Sequence, residues 1–234
     1  MKFYFKKSLG QHFLKNEEIL KKIISINQIK NKLVVEVGPG QGALTKLILD
    51  ENPKKLFVIE KDKNLTPYLI KIKEKHPGKF FIITDDVLKI DFRKFNCKKI
   101  SIIANLPYNI ASTLIIKLIR YFDIIDSMVL MVQKEVADRL SADVSSSAYG
   151  RLSVLIQLHA LVKKKFDVDA KNFYPKPKVQ SSVILIQPKE SKYFVYENLD
   201  KILKVSFKQR RKTLKNNLKI LFFDAEKKIL NCGV

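Results

Sequence analysis

Four consecutive residues, Asn105-Leu106-Pro107-Tyr108, carry the groups needed to work on the exocyclic amine of a nucleobase. Such an amine is a poor nucleophile because its lone pair is delocalised into the ring. Two acceptors that hold its hydrogens favour a pyramidal, more nucleophilic nitrogen. The side-chain oxygen of Asn105 can be one acceptor. A backbone carbonyl at Leu106 or Pro107 can be the other, since the residue before a proline is held extended. Tyr108 offers a face on which an extruded base can stack. The plainer alternative is an Asn-Pro loop with a packed tyrosine.

A second constellation binds rather than reacts. Gly38, Gly40 and Gly42 alternate within Glu36-Val37-Gly38-Pro39-Gly40-Gln41-Gly42-Ala43, after a β-rich run and at the start of a helical pattern. Alternating glycines let the backbone turn tightly and approach a ligand. The helix start adds free N–H groups and the positive end of a dipole. The spacing is not the dinucleotide G-x-G-x-x-G, which argues against a nicotinamide cofactor. Glu60 ends the next strand, 22 residues after Gly38, where a carboxylate can accept from both ribose hydroxyls. Asp85 and Asp86 follow the third strand, where a carboxylate can accept from an adenine amino group. Singly, each acid is a solvated strand-end charge; together with the glycine loop they fit S-adenosylmethionine. Its sulfonium already activates the methyl group, so positioning and desolvation matter more than a strong base.

These groups need a scaffold that brings strand ends together. Strand patterns at residues 33–37, 56–59, 80–83, 99–104 and 127–132 alternate with helical patterns at 43–49, 65–75 and 111–120. That alternation predicts a doubly wound α/β fold with a parallel sheet, whose ligands sit at the carboxyl ends of the strands. Helices are expected at 133–141 and 151–160, around a polar loop at 143–150. Two late strands, 163–168 and 179–187, flank a Pro-rich connection. A domain boundary is placed near residue 190. It separates a catalytic domain of residues 1–190 from a basic helical segment of residues 191–234.

Composition limits the partners. Of the 234 residues, 46% are hydrophobic, enough for a packed core. No apolar run is long enough to span a bilayer, and the N-terminus lacks a secretory signal, so a cytoplasmic protein is expected. Cys97 and Cys232 are isolated, and His12, His76 and His159 are scattered, so no metal site is predicted. Lys and Arg number 45 against 23 Asp and Glu, a net charge of +22. Residues 201–221 hold eight basic residues and no acid. Such an excess suits a polyanion, though a Lys-rich proteome would also produce it.

The chain resembles the ribosomal RNA adenine N6,N6-dimethyltransferases over nearly its whole length. The resemblance runs through residues 8–14 (SLGQHFL), the glycine loop at 36–45 and Asn105-Leu106-Pro107-Tyr108-Asn109-Ile110. It continues through residues 133–140, Tyr149-Gly150, residues 173–179 (FYPKPKV) and residues 210–218 (RRKTLKNNL). It implies a Rossmann-like class I methyltransferase sheet with a small helical C-terminal domain. It also implies S-adenosylmethionine held by His12, Leu14, Gly38, Glu60, Asp86 and Asn105. Asn105, Leu106, Pro107 and Tyr108 would serve the target amine and base, with Phe173 stacking on the base's other side. Lys208, Arg210, Arg211, Lys212 and Lys215 would contact RNA. The implied substrate is small-subunit ribosomal RNA, at two adjacent adenines near its 3′ end; a monomer is expected by default. Two departures stand out: position 12 is His where the family often has Asn, and the chain ends soon after the basic stretch. The alternatives are a large-subunit RNA adenine methyltransferase, a DNA adenine methyltransferase and an RNA-binding assembly factor. Pro39 and Leu106 look more like the small-subunit type.

Overall fold

The computed structural model describes residues 6, 10–190, 196–209 and 211–231. In chain order the strands are β1 (Phe13–Leu14), β2 (Leu33–Val37), β3 (Lys55–Ile59), β4 (Phe80–Ile83), β5 (Ile100–Asn105), β6 (Ile125–Gln133), β7 (Ala160–Val168), β8 (Phe173–Tyr174) and β9 (Ser181–Pro188). Seven of them form one sheet in the order β4-β3-β2-β5-β6-β9-β7. The first five are parallel, and β9 runs antiparallel between β6 and β7. β1 and β8 form a separate antiparallel pair.

The central strands are apolar throughout because both of their faces are covered. Val35 of β2 and Ile102 of β5 pack with Leu114, Ile115 and Leu118 of helix α4 (Ala111–Leu118). Their neighbours Val34 and Ile103 point the other way, into a core with Leu20 and Ile23 of α1 (Glu17–Ile24) and Ile48 of α2 (Ala43–Asp50). The remaining helices are α3 (Thr66–Lys73), α5 (Lys134–Leu140), α6 (Arg151–His159), α7 (Tyr196–Ser206), α8 (Leu214–Leu218) and α9 (Ala225–Asn231). After β4 the chain crosses to the far side of β2 and enters β5. This reversal of strand order opens a crevice above the carboxyl ends of β2 and β5.

All five expected early strands are present, within two residues of the expected bounds. The expected strand at 163–168 begins earlier, because Ala160 already pairs with Pro188 and ends α6 at His159. Helix α1 and the β1–β8 pair are additions to the expected elements. The segment after residue 190 is helical, and α7 is tied to the α/β body. Leu203 joins the core beside α6, and Asp200 accepts from the Arg151 guanidinium. α8 packs on α7, and α9 on α8. Among the described residues no helix is long and apolar enough to cross a membrane, and no cluster of His, Cys, Asp or Glu could hold a metal ion.

Candidate active site

A cavity of about 140 Å³ lies above the β2 and β5 ends. Its lower wall is the glycine loop. Gly38, Gly40 and Gly42 all take positive φ, 66°, 60° and 83°, a region that favours glycine. At Gly40 a side chain would also strike the ring of Phe13, so the loop's bareness lets the N-terminal segment close over it.

Glu60 is 7% exposed. Its Oε2 accepts from the Gly40 N–H at 3.2 Å and its Oε1 from the Asp62 N–H at 2.8 Å. Burial pushes its carboxyl up, and these N–H groups pull it back. Each oxygen keeps a second lone pair. Asp85 and Asp86 line the same cavity. Asp86 accepts from Lys61 Nζ at 2.8 Å and from the Leu88 N–H at 2.9 Å, which hold its carboxyl below the usual range. The loop behind it is held by a residue the sequence did not signal. Lys117 of α4 donates to the carbonyls of Val87 (3.1 Å), Leu88 (2.9 Å) and Ile90. The helix that follows the Asn105 motif therefore also anchors the Asp86 loop. A buried glutamate and two strand-end aspartates around a glycine loop suit a nucleoside with a cationic arm, and the residues fit S-adenosylmethionine.

The N-terminal segment forms a strap along one side of the cavity, through Gly10, Gln11, His12 and Phe13. Asp62 is 1% exposed and accepts from Lys6 Nζ at 2.7 Å and Gln11 Nε2 at 2.8 Å. Against burial, which raises it, these bonds hold the Asp62 carboxyl low. Further along, the Phe13–Leu14 strand pairs with Phe173–Tyr174, and the Lys15 N–H donates to the Asn172 carbonyl at 2.9 Å.

His12 links this strap to the reactive motif. Its carbonyl accepts from Asn105 Nδ2 at 3.0 Å. A carbonyl can only accept, so the amide orientation is fixed, with Oδ1 as the remaining acceptor. The His12 ring lies 5.4 Å from the Tyr108 ring at an interplanar angle of 26°. Its Nδ1 lies 2.7 Å from the Pro175 carbonyl, which requires the proton on Nδ1. Tyr108 Oη pairs with Ser181 Oγ at 2.6 Å, and burial pushes the phenol up. The Pro107 carbonyl accepts from the Ile110 N–H at 3.2 Å, which opens α4. Among the described residues the Leu106 carbonyl accepts no backbone N–H.

The cavity thus gathers His12, Gly38, Glu60, Asp86, Asn105, Leu106, Pro107 and Tyr108. It does not gather Leu14 or Phe173. Leu14 is 5% exposed and Phe173 4%, and both pack in the core beneath the strap. Register Leu14↔Phe173 pairs Phe173 with the strap. Lys208, Arg211 and Lys212 stand exposed in the turn before α8, and Lys215 lies on α8, partly covered; Arg210 lies outside the described residues. The buried Asn217 amide donates to the carbonyls of Gln209 (3.1 Å) and Lys212 (3.4 Å) and shapes that turn.

Known proteins match over this whole arrangement. A curated relative from Pelagibacter ubique, named ribosomal RNA small subunit methyltransferase A, is 46% identical over 222 residues, covering 93% of this chain and 84% of its own. One of the same name from Malacoplasma penetrans is 44% identical over 224 residues, covering 94% and 80%. Among solved structures, a dimethyladenosine transferase from Plasmodium falciparum superposes with a TM-score of 0.79 at 35% identity, over 88% of this chain and 74% of its own. The 23S rRNA methyltransferase ErmE shares the fold, with a TM-score of 0.73 at 20% identity, over 90% of this chain and 84% of its own. The model for ribosomal RNA adenine dimethylases matches residues 2–234, from the strap through the glycine loop and the Asn105 motif to the basic turn; the chain belongs to that family.

Proposed function

We propose that the protein transfers methyl groups from S-adenosylmethionine to the N6 atoms of two adjacent adenines near the 3′ end of small-subunit ribosomal RNA, twice at each. The observation that carries the proposal is the fixed Asn105 amide. With Nδ2 engaged by the His12 carbonyl, Oδ1 and the Leu106 carbonyl are two acceptors at one strand end. They take the two amino hydrogens and turn the nitrogen lone pair towards the methyl group that S-adenosylmethionine supplies. Tyr108 holds the extruded base by its face. Glu60, the glycine loop and Asp86 keep the donor in line, and the strap excludes water. After two transfers no N–H remains for Oδ1 to hold, and the reaction stops. The basic turn docks the RNA, and the protein acts on ribosomal subunits in the cytoplasm, as a monomer.

The test is transfer of labelled methyl to small subunits from a strain lacking the modification, with products mapped by nuclease digestion and mass spectrometry. Dimethyladenosine at two adjacent 3′-end adenines is the expected product. Label on large-subunit RNA or DNA alone overturns the substrate. An Asn105→Ala protein that binds subunits and fully restores their maturation would mark an assembly role instead.

A further inference from the structure

A larger cavity, about 650 Å³, opens beyond Tyr108 and has no part in the reaction as described. Gln133, Lys134, Asp138, Arg139, Ala148 and Gln180 are among its walls. It adjoins the reactive motif through one strand pair. Gln133, the last residue of β6, lies across from Ser181 of β9, whose Oγ meets Tyr108 Oη. Its far rim is the 143–150 loop, where Tyr149 meets Phe207 edge-on at 6.4 Å. Lys208 and the basic turn follow directly. The cavity is thus linked by direct contacts to the Asn105 motif on one side and to the basic turn on the other.

The walls suit a base better than a phosphate. Lys134 pairs with Asp138 and Asp167, and Arg139 with Glu135, so the local charges are already matched. Gln133 is half-buried, and its side-chain amide has no hydrogen-bond partner among the described residues. An amide presents a donor and an acceptor side by side, which complements the N6 and N7 edge of adenine. The amide keeps its access to solvent, so a base that replaces its water must return a matching donor and acceptor, which favours adenine over uracil.

We propose that this second cavity is a nucleobase subsite, which holds the base next to the methylated adenine in the same strand and reads it through Gln133. The proposal rests on the reading of the protein as a small-subunit RNA adenine methyltransferase. The test is a double-mutant cycle with the full chain. Wild-type and Gln133→Leu proteins are assayed on small subunits whose neighbouring adenine is kept or replaced by uracil, scoring methylation of the remaining target. Each change alone is expected to lower kcat/KM about tenfold, and the two together no more than either. Affinity for S-adenosylhomocysteine and Tm should not move. Gln133→Asn, which shortens the amide without changing its chemistry, gives the same reading should the Leu variant misfold. Losses that multiply to about a hundredfold, or a Gln133 variant without effect on subunits that wild type methylates, overturn the subsite. Absence of wild-type transfer to any small subunit overturns the functional reading, and the subsite with it.

Discussion

Glu60 lines the cavity proposed for the methyl donor and Lys208 stands in the turn proposed to dock RNA, and the molecule holds them in opposite ways. Glu60 is buried, with a backbone N–H on each oxygen. Beside it, Glu36 is 1% exposed and accepts from Thr45 Oγ1 at 2.6 Å, and Asp62 is clasped by Lys6 and Gln11. Lys208, Arg211 and Lys212 are exposed and form no ion pair among the described residues; the turn itself is held by the Asn217 amide on the Gln209 and Lys212 carbonyls. Fixed, desolvated acids recognise one small molecule by preorganisation and are little affected by salt. Exposed cations attract a polyanion by releasing its counterions, and salt weakens them steeply. The acidic side should therefore answer to substitution and pH, and the basic turn to ionic strength.

The largest effect is expected at the junction of the two. Asn105→Ala removes one of two acceptors and the amide that His12 orients. Loss of a single preorganised polar group of this kind costs about 10²–10³ in rate. Single-turnover transfer to small subunits measures it. The Tm should fall by only about 2–4 °C, the expected result of losing roughly 1 kcal/mol of hydrogen bonding in a chain this size. Wild-type turnover by the Ala variant would remove Asn105 from the chemistry.

Next in size is a pH effect confined to the acidic side. Burial pushes the Glu36 carboxyl up to about 8, against an ordinary value of 4.5. A carboxyl raised on folding favours the folded state fully below pH 4.5 and loses that contribution as pH climbs towards 8, because only the unfolded chain sheds the proton. Between pH 6 and 7.5 the loss is on the order of 2 kcal/mol. Glu36→Gln is neutral at every pH and can still accept from Thr45. Urea melts of the variant should be flatter across this range and lie above wild type at pH 8. Parallel slopes for the two proteins would show that Glu36 is ionised in the fold.

The basic turn should show the complementary behaviour. Lys208→Glu with Lys212→Glu is expected to weaken subunit binding about tenfold at moderate salt. The salt dependence should flatten by close to one unit of slope for each phosphate no longer neutralised. Affinity for S-adenosylhomocysteine should be unchanged. An equal weakening at every salt concentration would mean that the turn acts through structure rather than charge.

The contrast also explains what the sequence could reveal. The parallel sheet was legible because double burial writes continuous apolar runs, and the acids that line the cavity because they close the strands that follow such runs. Helix α1, for which no element was expected, carries its own signals: Asn16 capping Ile19, Glu17 and Glu18 in its first turn, and apolar Leu20, Ile23 and Ile24. The strap was beyond reach, since its partners lie 51 to 163 residues away: Asp62 for Gln11 and Pro175 for His12. Lys117 was equally hidden, one lysine among many until folding set it against three carbonyls. Phe173 packs in the core in this structure, a placement the sequence did not signal. An aromatic beside a Pro turn reads alike whether it faces a base or, as here, packs beneath a strand.

The smallest effect is expected at His12, and its smallness is informative. The hydrogen bond that orients Asn105 comes from the His12 carbonyl, which any residue supplies. The ring adds its stack on Tyr108 and its bond to the Pro175 carbonyl. His12→Asn, which restores the residue common in the family, keeps the carbonyl and gives up an aromatic pair worth about 0.5–1.5 kcal/mol. Transfer should fall only a few-fold, with affinity for S-adenosylhomocysteine nearly intact. A loss as deep as that of Asn105→Ala would instead place the imidazole itself against the target base. The strap would then belong to substrate recognition and not merely to closure of the cofactor cavity.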